Sequence, residues 1–182
     1  PLFGHPHIFI DNTFTFVFDE AGLRGIRIHW LFDEMFTASI VMEYDRNGNN
    51  VFEEHEVRSI ENGAFSNLKN FGYFLHLTAQ GKKVPAARVV DFDAGMRGRR
   101  LYYSFFVPFR VPFRTHNAVT RVTVGCYDDT YFCDITNAAE GCISFEGSAS
   151  VDCTWELIDD RRHAYWGGVI VPVIVSLDFQ QK

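Results

Sequence analysis

The chain has 182 residues, a formal charge of −6, a pI near 5.6 and 19 phenylalanines. Its acidic balance argues against nucleic acid or an anionic membrane surface as partner. No apolar run is long enough to insert in a bilayer, since the nearest, Val169 to Leu177, is short, contains Pro172 and reads as a strand.

The length fits a single domain over residues 1–182 with a Phe-dominated core. The first residue is proline rather than methionine, so the expectation is a secretory signal peptide already removed. Residues 7–18 alternate: Phe14, Phe16 and Phe18 face one way, with Thr13, Thr15 and Val17 opposite. Period two predicts a half-buried strand. At its start, His5, His7 and Asp11 would project to one face of an extended chain. Two imidazoles at i and i+2 can grip Zn²⁺ or Ni²⁺ if another strand adds ligands. His29, on the polar face of the next strand, is the candidate to do so. The competing reading is a strand entry with solvated histidines. That next strand, residues 23–31, follows a turn at Ala21-Gly22 and points Ile26, Ile28 and Trp30 to one side. The two segments predict an antiparallel pair.

Asp33 is placed to cap a helix running to about Tyr44, with Met35, Phe36 and Ile40 at helical spacing. Residues 45–56 then follow the twelve-residue calcium loop of an EF-hand, with oxygen ligands at positions one, three, five, seven, nine and twelve. Asp45, Asn47 and Asn49 supply side-chain oxygens, Val51 its carbonyl, Glu53 a direct or water-mediated ligand, and Glu56 a bidentate clamp. Position six, usually glycine, is Asn50, the best-tolerated substitute where the backbone must be left-handed. The competing reading is a solvated Asn/Gly-rich turn between two helices. A second helix from about Glu53 to Asn62-Gly63 and further turns over residues 64–71 complete a helical insertion at about residues 33–72.

The remainder predicts strands at residues 73–80, 86–92, 101–109 and 169–179, with Pro108 and Pro112 marking strand ends or an edge. Four cysteines suggest two hairpins. A turn at Asp129-Thr130 would set Cys126 opposite Cys133, and a turn at Gly147-Ser148 would set Cys142 opposite Cys153. Two such pairs predict two disulfides and an oxidising compartment. The fold expected is therefore α+β, a mostly antiparallel β-sheet or sandwich with an inserted EF-hand-like helix–calcium loop–helix. No G-x-S-x-G, phosphate-cradling loop or convergent nucleophile and base is present, so the chain does not read as an enzyme.

Several stretches together resemble one family. "HPHIFID" at 5–11, "WLFDEMF" at 30–36, the calcium-like loop, "NLKNFGYF" at 67–74 and "YDDTYF" at 127–132 are similar to the bacterial DUF1007 proteins, a domain of unknown function. The resemblance implies a periplasmic component of an uncharacterised ABC-type transport system, associated with nickel, cobalt and zinc transporters. It places the histidine motif on His5 and His7 and the acidic loop on residues 45–56. The expected function is thus a periplasmic accessory or binding protein for zinc or nickel uptake. Its partner would be an inner-membrane metal transporter, and its calcium loop would be structural. The alternative is a calcium-stabilised β-rich interaction module with no transition-metal role.

Overall fold

The computed structural model describes residues 6–115 and 118–182. It is a β-rich α+β fold of two sheets, each built largely from antiparallel pairs. β1 (Ile8–Asp19) and β2 (Gly22–Phe32) form the expected antiparallel ladder, with Phe14 opposite Ile28 and Phe16 opposite Ile26. Their alternation puts Phe14, Phe16, Phe18, Ile26, Ile28 and Trp30 on one face, and all are buried. β5 (Val90–Arg97) and β6 (Arg100–Pro112) extend this sheet on the β2 side. β8 (Cys133–Asn137) and β9 (Ile143–Glu146) both lie along β1, and both are parallel to it.

The second sheet runs β10 (Val151–Asp159), β11 (Val173–Gln181), β7 (Thr120–Cys126), β3 (Leu75–Ala79) and β4 (Lys82–Lys83). Val122, Val124, Val175, Leu177, Phe179 and Leu77 from this sheet share one core with the aromatic face of the first. Trp30 packs edge-on against Phe105 at 4.9 Å and Phe32 against Tyr103 at 4.7 Å, the geometry that ring quadrupoles favour. The buried Trp30 indole donates to Asn12 Oδ1 at 3.1 Å, so the polar edge of the largest core ring is satisfied. Gly25 sits at a register shift facing β6, where a Cβ would come within 2.3 Å of the Phe106 ring. Only glycine fits there.

The two prolines fall where the ladder is one-sided. Phe106 is the last β6 residue paired with β5, and Pro108 and Pro112 beyond it pair only with β2. Their missing N–H groups therefore disrupt no second neighbour.

The cysteine hairpins are corrected by this topology. β7 and β8 lie in different sheets, and so do β9 and β10. Cys126 does not face Cys133 across a hairpin, nor Cys142 Cys153, and all four thiols are free. The reason lies in the connections. Asp128 accepts from the backbone N–H groups of Thr130, Phe132 and Cys133 and from the Thr130 hydroxyl, turning the chain out of one sheet and into the other. Gly147 packs on the backbone of Phe18, so the second turn likewise leaves β9 on the first sheet.

Helix α1 (Glu34–Tyr44) begins as the sequence predicts. Asp33 Oδ1 accepts from the N–H groups of Met35 and Phe36, each at 2.8 Å, and Oδ2 accepts from Phe9 N–H at 2.8 Å. One carboxylate thus caps the helix and ties it to β1. Asp33→Ala should lower the unfolding free energy by about 1–2 kcal/mol, the usual cost of losing a cap. Asp33→Asn should recover the cap, because asparagine caps equally well, but not the tie to Phe9, whose N–H an amide NH₂ cannot accept. Urea midpoints of the two variants decide this; equal midpoints would mean that the cap does not hold the helix. After α2 (Glu54–Ile60), wider and tighter helical turns run through Glu61–Phe65 and Ser66–Phe74. Gly72, Tyr73 and Phe74 all take positive φ, reversing the chain into β3. Among the described residues no helix is long and apolar enough to cross a membrane.

Candidate functional site

Residues 45–53 join α1 to α2 and, among the described residues, carry the densest set of side-chain-to-backbone hydrogen bonds. Asp45 Oδ1 accepts from the N–H groups of Gly48 at 2.8 Å and Asn49 at 3.2 Å, and Oδ2 from Asn50 at 2.8 Å. Asn47 Oδ1 accepts from Asn49 N–H and Asn49 Oδ1 from Val51 N–H. These bonds wind the loop around its own oxygen side chains. Asn50 stands at φ 60 and Gly48 at φ 72, so the left-handed backbone expected at position six is present. Asparagine accepts that conformation at lower cost than most residues.

Glu53 and Glu56 close the loop at the start of α2. Glu56 is only 1% exposed. Its Oε1 accepts from Arg46 N–H at 2.9 Å and its Oε2 from Glu53 N–H at 3.1 Å, joining the first and last parts of the loop. Glu53 is a hydrogen-bond sink: Asn47 Nδ2 and Asn49 Nδ2 both donate to it, the latter at 2.8 Å. Its carboxyl is held down at about 2, first by its contact with Glu56 and then by the amides of Asn49 and Asn47.

The donor set fits a hard cation. Asp45, Asn47, Asn49, the Val51 carbonyl, Glu53 and Glu56 offer only oxygens, and the bonded ones keep further lone pairs. The two amide donors now on Glu53 are what a bound cation would displace. The fit rests on amide and carbonyl oxygens as well as carboxylates. Among the described residues, no group of three or more His, Cys, Asp or Glu is arranged to hold a metal.

The histidine motif is dispersed. His5 lies outside the described residues. His7 is exposed and its ring packs against Phe132 at 4.9 Å. Asp11 is ion-paired with Arg100 at 2.7 Å, and four strand positions separate it from His7, about 13 Å at about 3.3 Å per residue. His29 pairs in register with Thr13, further along the same ladder. It stacks on Tyr102 at 5.1 Å, and burial lowers its pKa. The structure thus brings neither Asp11 nor His29 to His7.

Sequence reasoning missed one polar cleft. His76, Lys83, Tyr127, Asp160 and His163 line a hollow of about 340 Å³ on the second sheet. His76 stacks flat on Tyr127 at 3.7 Å and its Nε2 meets the Tyr127 carbonyl at 3.1 Å. His163 Nδ1 lies 2.7 Å from Asp160 Oδ2. Burial lowers the His76 pKa, which suits a neutral ring. They come from three separate stretches of the chain, 76–83, 127 and 160–163, and no local pattern announces their meeting.

Comparison with known proteins places the chain among relatives of unassigned role. It is 31% identical over 133 residues to an uncharacterised 15.5 kDa protein in the trpE 3′ region of Spirochaeta aurantia, covering 73% of this chain and 93% of that one. It is 25% identical over 187 aligned residues to an uncharacterised protein of Haemophilus influenzae, covering 100% of this chain and 84% of that one. No solved structure matches it significantly. A family model described as protein of unknown function, DUF1007, matches residues 1–165, and the chain belongs to that family.

Proposed function

We propose that this protein is a calcium-stabilised periplasmic accessory protein of zinc or nickel uptake, with an EF-hand-like site in residues 45–56. The observation that carries the calcium assignment is the wound loop itself. Asp45 gathers three backbone amides, Asn50 stands at φ 60, and the buried Glu56 bridges both ends. A solvated turn needs none of this closure. Only three of the six ligands are carboxylates, so the affinity should be modest, on the order of 10⁻⁴ M, as for extracellular calcium modules. With a single loop, the ion's role is structural, holding α1 and α2 at a fixed approach.

The transport role rests on the family resemblance and on the exposed position of His7 at the head of β1. The compartment rests on the resemblance alone, because the cysteines are free. The alternative, a calcium-stabilised interaction module, draws support from the separation of Asp11 and His29 from His7. Calorimetric titration of Ca²⁺, and then of Zn²⁺ and Ni²⁺ into calcium-loaded protein, separates the two. One calcium per chain is expected, followed by transition-metal binding that weakens at least tenfold in His5→Ala/His7→Ala. If the double variant binds Zn²⁺ and Ni²⁺ as wild type does, the interaction-module reading leads.

A further inference from the structure

At one flank of the two sheets, residues of β8 meet residues of β10 and β11 around a pocket of about 240 Å³. Leu157 and Ile170 give it an apolar lining, Tyr127 and Tyr165 add phenol rings, and Asp134 supplies its one carboxylate. The two tyrosine rings lie nearly parallel, 10° apart, with centroids at 5.5 Å. The pocket is smaller than the usual drug-sized site, so only a short molecule fits.

Asp134 is the exception among the aspartates. Every other buried or half-buried one has a partner. Asp11 pairs with Arg100, Asp19 with Arg110, Asp178 with Arg121 and Asp160 with His163. Asp33, Asp45 and Asp128 accept from backbone N–H groups. Asp134 is half-buried too, yet among the described residues its carboxylate accepts no hydrogen bond and pairs with no cation. Burial accordingly raises its pKa with nothing to offset the effect. The Tyr165 phenol is pushed up to about 12, by burial first and then by Asp134. The carboxylate's field therefore falls on the aromatic wall, and no hydrogen bond joins the two.

That wall is held in place at a cost. Trp166 stands at φ 50, and Gly167 and Gly168 after it are left-handed as well. Tyr165 N–H donates to the Ile170 carbonyl at 2.9 Å and Gly168 N–H to the Tyr165 carbonyl at 3.0 Å, closing a tight loop. Two lining residues are thus pinned by backbone that a tryptophan adopts reluctantly, and such strain collects at ligand-holding sites. Arg161 and Arg162, on the turn before Tyr165, are exposed and do not line the pocket.

We propose that this pocket binds a short alkylammonium ion, its charged head on Asp134 and its hydrocarbon against Tyr127, Tyr165, Leu157 and Ile170. Carboxylate and ring faces both favour a cation, and the apolar lining favours an organic ion over a hydrated metal ion. Asp134 repels an anion. The site shares no residue with the calcium loop or the histidine motif, so it stands or falls apart from them.

The test uses the full calcium-loaded chain, with n-butylammonium as probe and saturation-transfer NMR as readout, in about 0.1 M KCl to screen long-range attraction. Saturable binding is expected with a Kd on the order of 1 mM, the scale of a very small ligand. Butan-1-ol and butyrate, of equal chain length, should each bind about tenfold more weakly, as should n-butylammonium to Asp134→Asn. That variant should not lose melting temperature at neutral pH. A carboxylate whose pKa rises on folding opposes folding while it is ionised, so removing its charge costs no stability there. Asp129→Asn, at an exposed aspartate outside the pocket, should leave the affinity unchanged. Tyr165→Leu should weaken binding about threefold and Tyr165→Phe not at all, because the ring face and not the hydroxyl is used. Absence of saturation overturns the proposal, as does equal binding of butan-1-ol in the wild type. Unchanged affinity in Asp134→Asn overturns the role of that carboxylate, and an equal loss in Asp129→Asn assigns the attraction to net charge and overturns the site. An equal loss in Tyr165→Phe and Tyr165→Leu overturns the part given to the ring.

Discussion

Glu56→Gln is expected to remove most of the calcium-dependent rise in melting temperature and to lower the melting temperature without calcium too. A ligand that binds only the folded state stabilises it by about 2.7 kcal/mol at a hundredfold excess over Kd. For a chain of this size that is a shift of about 5–10 °C. The bidentate clamp supplies two of the oxygens behind that shift, and glutamine keeps one. The second effect follows from geometry: both Glu56 oxygens accept backbone N–H groups in a buried position. An amide NH₂ set against either donor leaves that donor unpaired, at a cost of about 1–3 kcal/mol. Thermal unfolding of wild type and variant, with and without about 10 mM calcium, a hundredfold excess over a Kd of about 10⁻⁴ M, checks both. An equal calcium response in the two proteins would sink the loop assignment.

Phe65→Ala should be the most damaging single change outside the two-sheet core. The ring is 2% exposed and packs against Phe92 at 4.4 Å, Phe105 at 5.0 Å, Tyr73 at 5.5 Å and Tyr103 at 5.9 Å. It is the anchor by which the helical segment grips the first sheet. Truncation leaves a cavity among rings that cannot collapse, costing about 3–5 kcal/mol, a large share of a typical 5–15 kcal/mol stability. Phe71→Ala, at an exposed ring, should cost about 0.5 kcal/mol or less. Comparable urea midpoints for the two variants would show that the segment is not held through Phe65.

What the sequence conveyed well was local and periodic. Phe14, Phe16 and Phe18 against Ile26, Ile28 and Trp30 announced the β1–β2 ladder, because period two assigns faces unambiguously. Asp33 announced its helix, since a cap is read within three residues. Asn50 announced a left-handed turn. The cysteine strands failed for the opposite reason. Residues 127–132 and 147–150 have the length and composition of hairpin turns, yet each carries the chain across the core to the other sheet. Which sheet a strand joins depends on Asp128 collecting amides and on Gly147 meeting Phe18, contacts that periodicity does not encode.

The parallel pairing of β1 bears on how the chain comes to exist at all. Ile8 waits for Cys133 and Val17 for Glu146, so the outer edge of the first strand has no partner until the last third has been made. Contacts of such wide separation form slowly. In the interval the nascent chain presents an open, Phe-rich strand edge to its neighbours, which is where strand-to-strand aggregation begins. A chain truncated before residue 133 keeps that edge permanently, and the early part of this protein depends on its end for solubility.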